Sequence, residues 1–246
     1  MASCPRHGTQ TAMTSRLITI VQRSAGDWAV LLVTVLLAAC ASKPLAPDWQ
    51  VNAFAALKGF STAFLKGNSR VAELEMSRAR SEIAGTGRAD LLARAELTYC
   101  AVRAASLAFD NCANYQPLAR DAGPQEQAYA AFLSGHWSGI DANLLPEQYR
   151  ALVTSPAAGP STGETSTLGT VDDPLSRLVA ASALLQRSDL SSADIAMATR
   201  TASDQGWRRP LLAWLGLQLK RATDGGDSDS AARMQRRIDL VLQKQN

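Results

Sequence analysis

Residues Asp48 to Asn68 read D-W-Q-V-N-A-F-A-A-L-K-G-F-S-T-A-F-L-K-G-N. Trp49, Ala53, Leu57, Phe60 and Phe64 recur at intervals of three and four, which places them on one face of an α-helix. Asp48 after Pro47 is the expected N-cap. Gly67-Asn68 is the expected stop, because glycine adopts the left-handed conformation that ends many helices.

The same periodicity continues downstream. A second helix is expected over Ser69–Ala84, with Ala72, Met76, Ala79 and Ile83 inside and an outward Arg78/Glu82 pair four residues apart. Gly85 to Gly87 breaks the chain. A third helix is expected over about Arg88 to Ala105, burying one face through Leu91, Ala95, Tyr99 and Val102. Helices near Gln125–Leu133 and Pro146–Val153 each have proline near their start, where a missing N–H costs nothing. Ser134 to Asn143 reads as a polar loop. Residues 154–172 are poor in large apolar side chains and read as a flexible linker or long loop.

Periodicity resumes at Asp173-Pro174, with Leu178, Ala181, Leu184 and Leu185 inside. Ser191 and Asp194 have capping-box spacing for a helix ending at Gly206. Leu211, Leu215, Leu219 and Ala222 mark another helix, stopped by Gly225-Gly226. Ala231, Met234, Ile238 and Val241 mark the last. No stretch alternates with period two, so the expected class is all-α: a helical region over 49–153 and helical hairpins over 173–246.

Leu178 and Leu212 begin comparable helices 34 residues apart. The segment P-L-L-A-W-L-G-L-Q-L (Pro210 to Leu219), followed by Gly226-Asp227 and Ala231-Ala232-Arg233, resembles a tetratricopeptide repeat. The resemblance implies stacked helical hairpins and a protein-binding surface. The family's late proline is missing after Ala231, and the middle of the chain does not keep the period.

Upstream of the helices, Trp28 to Ala39 form an apolar run behind Arg16 and Arg23, and Cys40 follows. A basic stretch, a short apolar run and small residues make a secretory signal. The run is shorter than the roughly 20 residues that span a bilayer. Leu37-Ala38-Ala39-Cys40 resembles the lipobox of bacterial lipoproteins. That resemblance implies removal of residues 1–39, diacylglycerol on the Cys40 thiol, acylation of its amine and a tether over 40–48. Ala41 and Ser42, with no aspartate after the cysteine, resemble the outer-membrane, periplasm-facing pattern. Met13 would give a more ordinary signal length than Met1.

Apolar residues are 46% of the 246-residue chain and charged residues 19%, which excludes a disordered chain. The full chain is formally +3; residues 1–39 carry three arginines and one aspartate, leaving about +1 beyond them. Near-neutrality argues against nucleic-acid binding. Cys100 and Cys112 are expected to pair in an oxidising compartment; the alternative is two thiols packed as small hydrophobes.

No nucleophile, zinc-helix, phosphate-loop or dinucleotide motif occurs, and no metal, cofactor or small-molecule ligand is expected. His136 stands alone in S-G-H-W-S-G. Glu73, Glu75, Glu82 and Glu96 alternate with Arg70, Arg78, Arg80 and Arg94, which reads as a salt-bridged helix surface or as acids of a cell-wall enzyme. Arg233, Arg236, Arg237 and Lys244 form a basic face that could hold peptidoglycan in a structural lipoprotein. Trp207, Arg208 and Arg209 join two helices and are the expected partner contact. The leading expectation is a lipid-anchored scaffold for another envelope protein.

Overall fold

Trp49 to Phe64 do form one helix face. The computed structural model describes residues 46–154 and 166–243. Nine α-helices and no strand occur among them: α1 (Asp48–Lys66), α2 (Ser69–Ala84), α3 (Ala89–Ala104), α4 (Pro124–Leu133), α5 (Glu147–Thr154), α6 (Pro174–Gln186), α7 (Ser192–Asp204), α8 (Arg208–Asp224) and α9 (Ser228–Gln243). Short 3-10 turns cover Gln116–Leu118, Ala142–Leu144 and Thr167–Thr170. Leu37, Ala38, Ala39 and Cys40 lie outside the described residues.

Local chemistry explains most helix ends. Gly67, at φ +92°, closes α1, and its N–H and that of Asn68 satisfy the carbonyls of Phe64 and Ala63. Asn68 then caps α2 by accepting from Val71 N. Asp173 caps α6, accepting from Ser176 N at 2.7 Å. Ser191 and Asp194 form the reciprocal capping box of α7. The Asp48 expectation needs correction. Pro47 occupies the cap position without a side-chain bond, and Asp48 lies in the first turn, where its charge suits the helix dipole.

Packing is organised by α3. Its expected face, Leu91, Ala95, Tyr99 and Val102, meets Phe60, Phe64, Ala72, Met76 and Ile83 of the α1–α2 hairpin. Its opposite face, Ala93, Leu97, Cys100 and Ala101, belongs to a second core with Phe132, Tyr149, Leu178, Ile195 and Trp214. One buried face was expected and two are found. The second stripe is built from alanine, leucine and cysteine, small enough for neighbours to approach closely. Trp214 is fully buried and donates from Nε1 to the Ala105 carbonyl at 3.1 Å, just past the end of α3.

Three other expectations change. Arg78 forms no ion pair among the described residues; Glu82 instead accepts from Asn52 Nδ2 at 3.2 Å. The Ser134–Asn143 loop carries a buried residue: Trp137 stacks on Phe132 and donates to its carbonyl at 2.9 Å. Of the expected linker, residues 155–165 lie outside the described set. Leu168 and Val171 are fully buried, and Ser166 Oγ bonds Asp194 Oδ1 at 2.7 Å. From Pro47 onward the chain is one unit, with the second core drawing on helices before and after residues 154–172.

Cys100 and Cys112 lie at disulfide distance, with Cα atoms 5.2 Å apart. The link ties the segment after α3 back onto that helix, across Leu107, Asn111 and Cys112 at positive φ. L-residues populate that region rarely, so this turn is held by its surroundings. Replacing both cysteines with alanine should lower unfolding free energy by about 3 kcal/mol, the chain-entropy value for so short a loop. Urea denaturation would show it as a lower midpoint with helix content unchanged.

Candidate functional site

The four sequence-selected glutamates do not converge. Glu73 is exposed on α2, Glu75 lies against Gly59, and Glu82 faces Asn52. Glu96 is only 4% exposed and accepts from Arg80 Nε at 2.6 Å and from its second nitrogen at 2.8 Å. An unpaired carboxylate at that depth would cost several kcal/mol, so the pair is a structural requirement. Donating to Glu96 raises the Arg80 pKa above its ordinary value, against the lowering effect of burial. Arg80 and Arg103 also lie over the Tyr99 ring, at 5.2 and 5.3 Å. Arg103 Nε is 3.2 Å from Asp110 Oδ2 but off hydrogen-bond alignment.

Trp207, Arg208 and Arg209 are half-buried. Arg209 Nε donates to the Phe64 carbonyl at 2.8 Å and its terminal nitrogen to Ser69 Oγ at 2.7 Å, with the guanidinium over the Phe64 ring. It thereby binds the C-terminal end of α1, where a cation suits the dipole. Desolvation, followed by the nearby Arg103 charge, lowers its pKa. Arg208 donates to the Val241 carbonyl near the end of α9. Trp207 packs against both cores. These three residues hold α8 to α1 and α9 while each keeps part of its surface in solvent.

The sequence did not pick out a cleft of about 370 Å³ between α3, α4 and the Asn143–Pro146 turn. Its charged groups are Arg94, Glu126 and Arg150. Pro124 starts α4 and places Glu126 in the first turn. Arg94, from α3, donates to Glu126 Oε1 at 2.9 and 2.6 Å. A Cβ on Gly123 would lie 2.8 Å from Glu126 Oε2, so glycine leaves room for that carboxylate. Asp141 caps the adjoining 3-10 turn, and Arg150 Nε donates to the Leu145 carbonyl at 3.0 Å. Two guanidiniums and one buried carboxylate thus surround an opening walled by Leu97, Tyr129 and Leu145.

Behind this cleft the rings of Tyr129, Phe132, Tyr149 and Trp137 form a continuous stack, with Arg187 over Trp137 at 4.3 Å. Burial is the main cause that pushes Tyr129 and Tyr149 above their ordinary pKa of 10.0. The cleft can hold a ligand carrying both an anionic group and an apolar one. It offers no nucleophile–base pair.

His136 is exposed, with Nδ1 3.0 Å from Ser134 Oγ. Arg233, Arg236 and Arg237 are exposed on α9, and Lys244 lies outside the described residues. Among the described residues no cluster of three or more histidine, cysteine or acidic side chains could hold a metal, and no helix is long and apolar enough to cross a membrane. No protein-family model, curated protein or solved structure matches the chain.

Glu96→Gln should cost about 1–3 kcal/mol, the range for a hydrogen bond to a charged group with a half-buried partner. Urea denaturation of that variant beside Arg80→Met checks it; the double variant should lose less than the two single losses combined. Alkaline pH gives a second test. A folded-state tyrosine pKa raised above 10.0 contributes stability present below that pH and lost as pH rises past it. Helix loss should therefore coincide with tyrosinate absorbance above pH 10.0, and Tyr129→Phe should move that transition upward.

Proposed function

We propose that this chain is a lipid-anchored envelope protein of bacteria, whose helical unit acts as a binding platform for another envelope protein. The observation that carries the reading is Leu37-Ala38-Ala39-Cys40 at the end of an apolar run, followed within eight residues by the start of a helical unit. Acylation at thiol and amine would give Cys40 several buried chains, enough for stable anchoring. Ala41 and Ser42 favour the outer membrane, with the unit facing the periplasm. A pairing of Cys100 with Cys112 suits that compartment.

The tetratricopeptide-like part of the reading rests on hairpin pairs such as α1 with α2 and α8 with α9. Such pairs commonly build protein-binding surfaces. The Arg94–Glu126–Arg150 cleft is the place we assign to the partner, because Trp207 to Arg209 are engaged within the fold. An acidic or amphipathic segment of a protein is the chemistry that fits it.

Cys40→Ala is the decisive variant. It should remain at precursor length, take up no labelled palmitate and leave the outer-membrane fraction. Normal processing of that variant would sink the lipoprotein reading. Arg150→Glu in the lipidated protein should reduce co-purification of the partner without changing processing.

A further inference from the structure

Seven large apolar side chains are exposed among the described residues, and four lie on one hairpin: Val51 and Phe54 on α1, Val71 and Leu74 on α2. Phe54 is the most exposed, at 70%. Val51, Phe54, Ala55 and Lys58 are successive exposed positions at helical spacing, so they form a stripe along the first turns of α1. Beyond the exposed Asp48 of the first turn, the stripe is apolar at Val51 and Phe54 and cationic at Lys58. That is the pattern of a surface resting at a lipid interface, where lysine extends its ammonium to the phosphates.

The place of this stripe in the chain names its occupant. Seven residues, 41–47, separate Cys40 from Asp48. At roughly 3.3–3.6 Å per residue, the eight steps from Cys40 to Asp48 reach at most ~26–29 Å. A unit of about 200 residues is on the order of 40 Å across. The tether is therefore shorter than the unit it holds, and the beginning of α1 cannot leave the neighbourhood of the bilayer. Val51 lies about 4.5 Å and Phe54 about 9 Å along the helix from Asp48. Confinement also makes a weak contact sufficient, because a short linker presents the surface at an effective millimolar concentration.

We propose that the first turns of α1 lie on the membrane that holds Cys40, with Val51 and Phe54 in the boundary between headgroups and acyl chains and Lys58 at the phosphates. Val71 and Leu74 stand apart from this stripe, because Asn52 meets Glu82 and Gly59 meets Glu75, which sets the start of α2 beside the far half of α1. The inference rests on the lipid anchor at Cys40. It adds that the anchor fixes an orientation and does more than tether a freely turning unit.

Site-directed spin labelling tests it. Beyond residue 39 the chain has three cysteines. With Cys40 acylated and Cys100 bonded to Cys112, Phe54→Cys supplies the single free thiol. Asp204→Cys supplies a reference near the other end of α1, since Ser203 and Gly206 line a hollow with Lys66. Each lipidated protein is labelled with a nitroxide and reconstituted into phosphatidylethanolamine–phosphatidylglycerol vesicles. Collision rates with oxygen and with a water-soluble nickel chelate are then compared, and mass spectrometry checks acylation of Cys40.

The label at 54 should show an oxygen-to-nickel ratio several-fold above that at 204. Adding Lys58→Glu should reduce that ratio. Equal ratios on a protein whose Cys40 is acylated would overturn the inference and leave the anchor standing. A label at 54 shielded from both reagents would also overturn it, by showing a protein surface over the stripe. A protein without lipid on Cys40 would remove both the anchor and the inference.

Discussion

The structure depends on burying α3 from two sides. A helix between two cores keeps only a narrow solvated strip for its polar residues, here marked by Asp90 and Arg94. It must be built from small and apolar side chains, and any charge it carries must find a partner. Ala93, Ala95, Ala101 and Ala104 meet the first condition. Glu96 meets the second through Arg80, which α2 supplies. Tyr99 is stacked on Phe60 and flanked by two guanidiniums, so the α1–α2 hairpin is fixed to α3 by packing and charge together. Where α3 ends, Trp214 occupies the Ala105 carbonyl, and the Cys100–Cys112 pair turns the chain back.

That arrangement decides which surfaces remain for function. Trp207 and Arg209 close α8 onto α1 and spend their hydrogen bonds and packing within the fold. Two of the features that stay open among the described residues contrast in chemistry. One is the cleft of Arg94, Glu126 and Arg150, built where α4 and the Asn143–Pro146 turn meet α3. The other is the stripe of Val51 and Phe54, a few residues beyond the proposed anchor. They differ in chemistry: the cleft pairs charge with an apolar wall, whereas the stripe is apolar with a lysine at its border.

The all-helical class was legible because spacings of three and four persist through most of residues 48–242. Ala72, Met76, Ala79 and Ile83 are the buried residues of α2, as their spacing required. Caps at Asp173 and Ser191 were equally readable, since their hydrogen bonds span only three residues. The second buried face of α3 was not, because alanine and cysteine give a weak periodic signal. The cleft was also hidden: Arg94 and Glu126 are 32 residues apart, and no local pattern relates them. Arg209 looked free because its acceptor, the Phe64 carbonyl, lies 145 residues away. Leu168 and Val171 were read as linker because single apolar residues in a polar stretch do not show whether a core receives them.

Native-state hydrogen exchange tests this arrangement most directly. If α3 is the shared wall of both cores, its amides near Leu97 should exchange only through global unfolding. The slowest amides of α2, α6 and α8 should then share one opening free energy and one urea dependence with it. Two separable classes, with α1–α2 opening independently of α6–α8 while α3 stays protected in only one of them, would contradict the account.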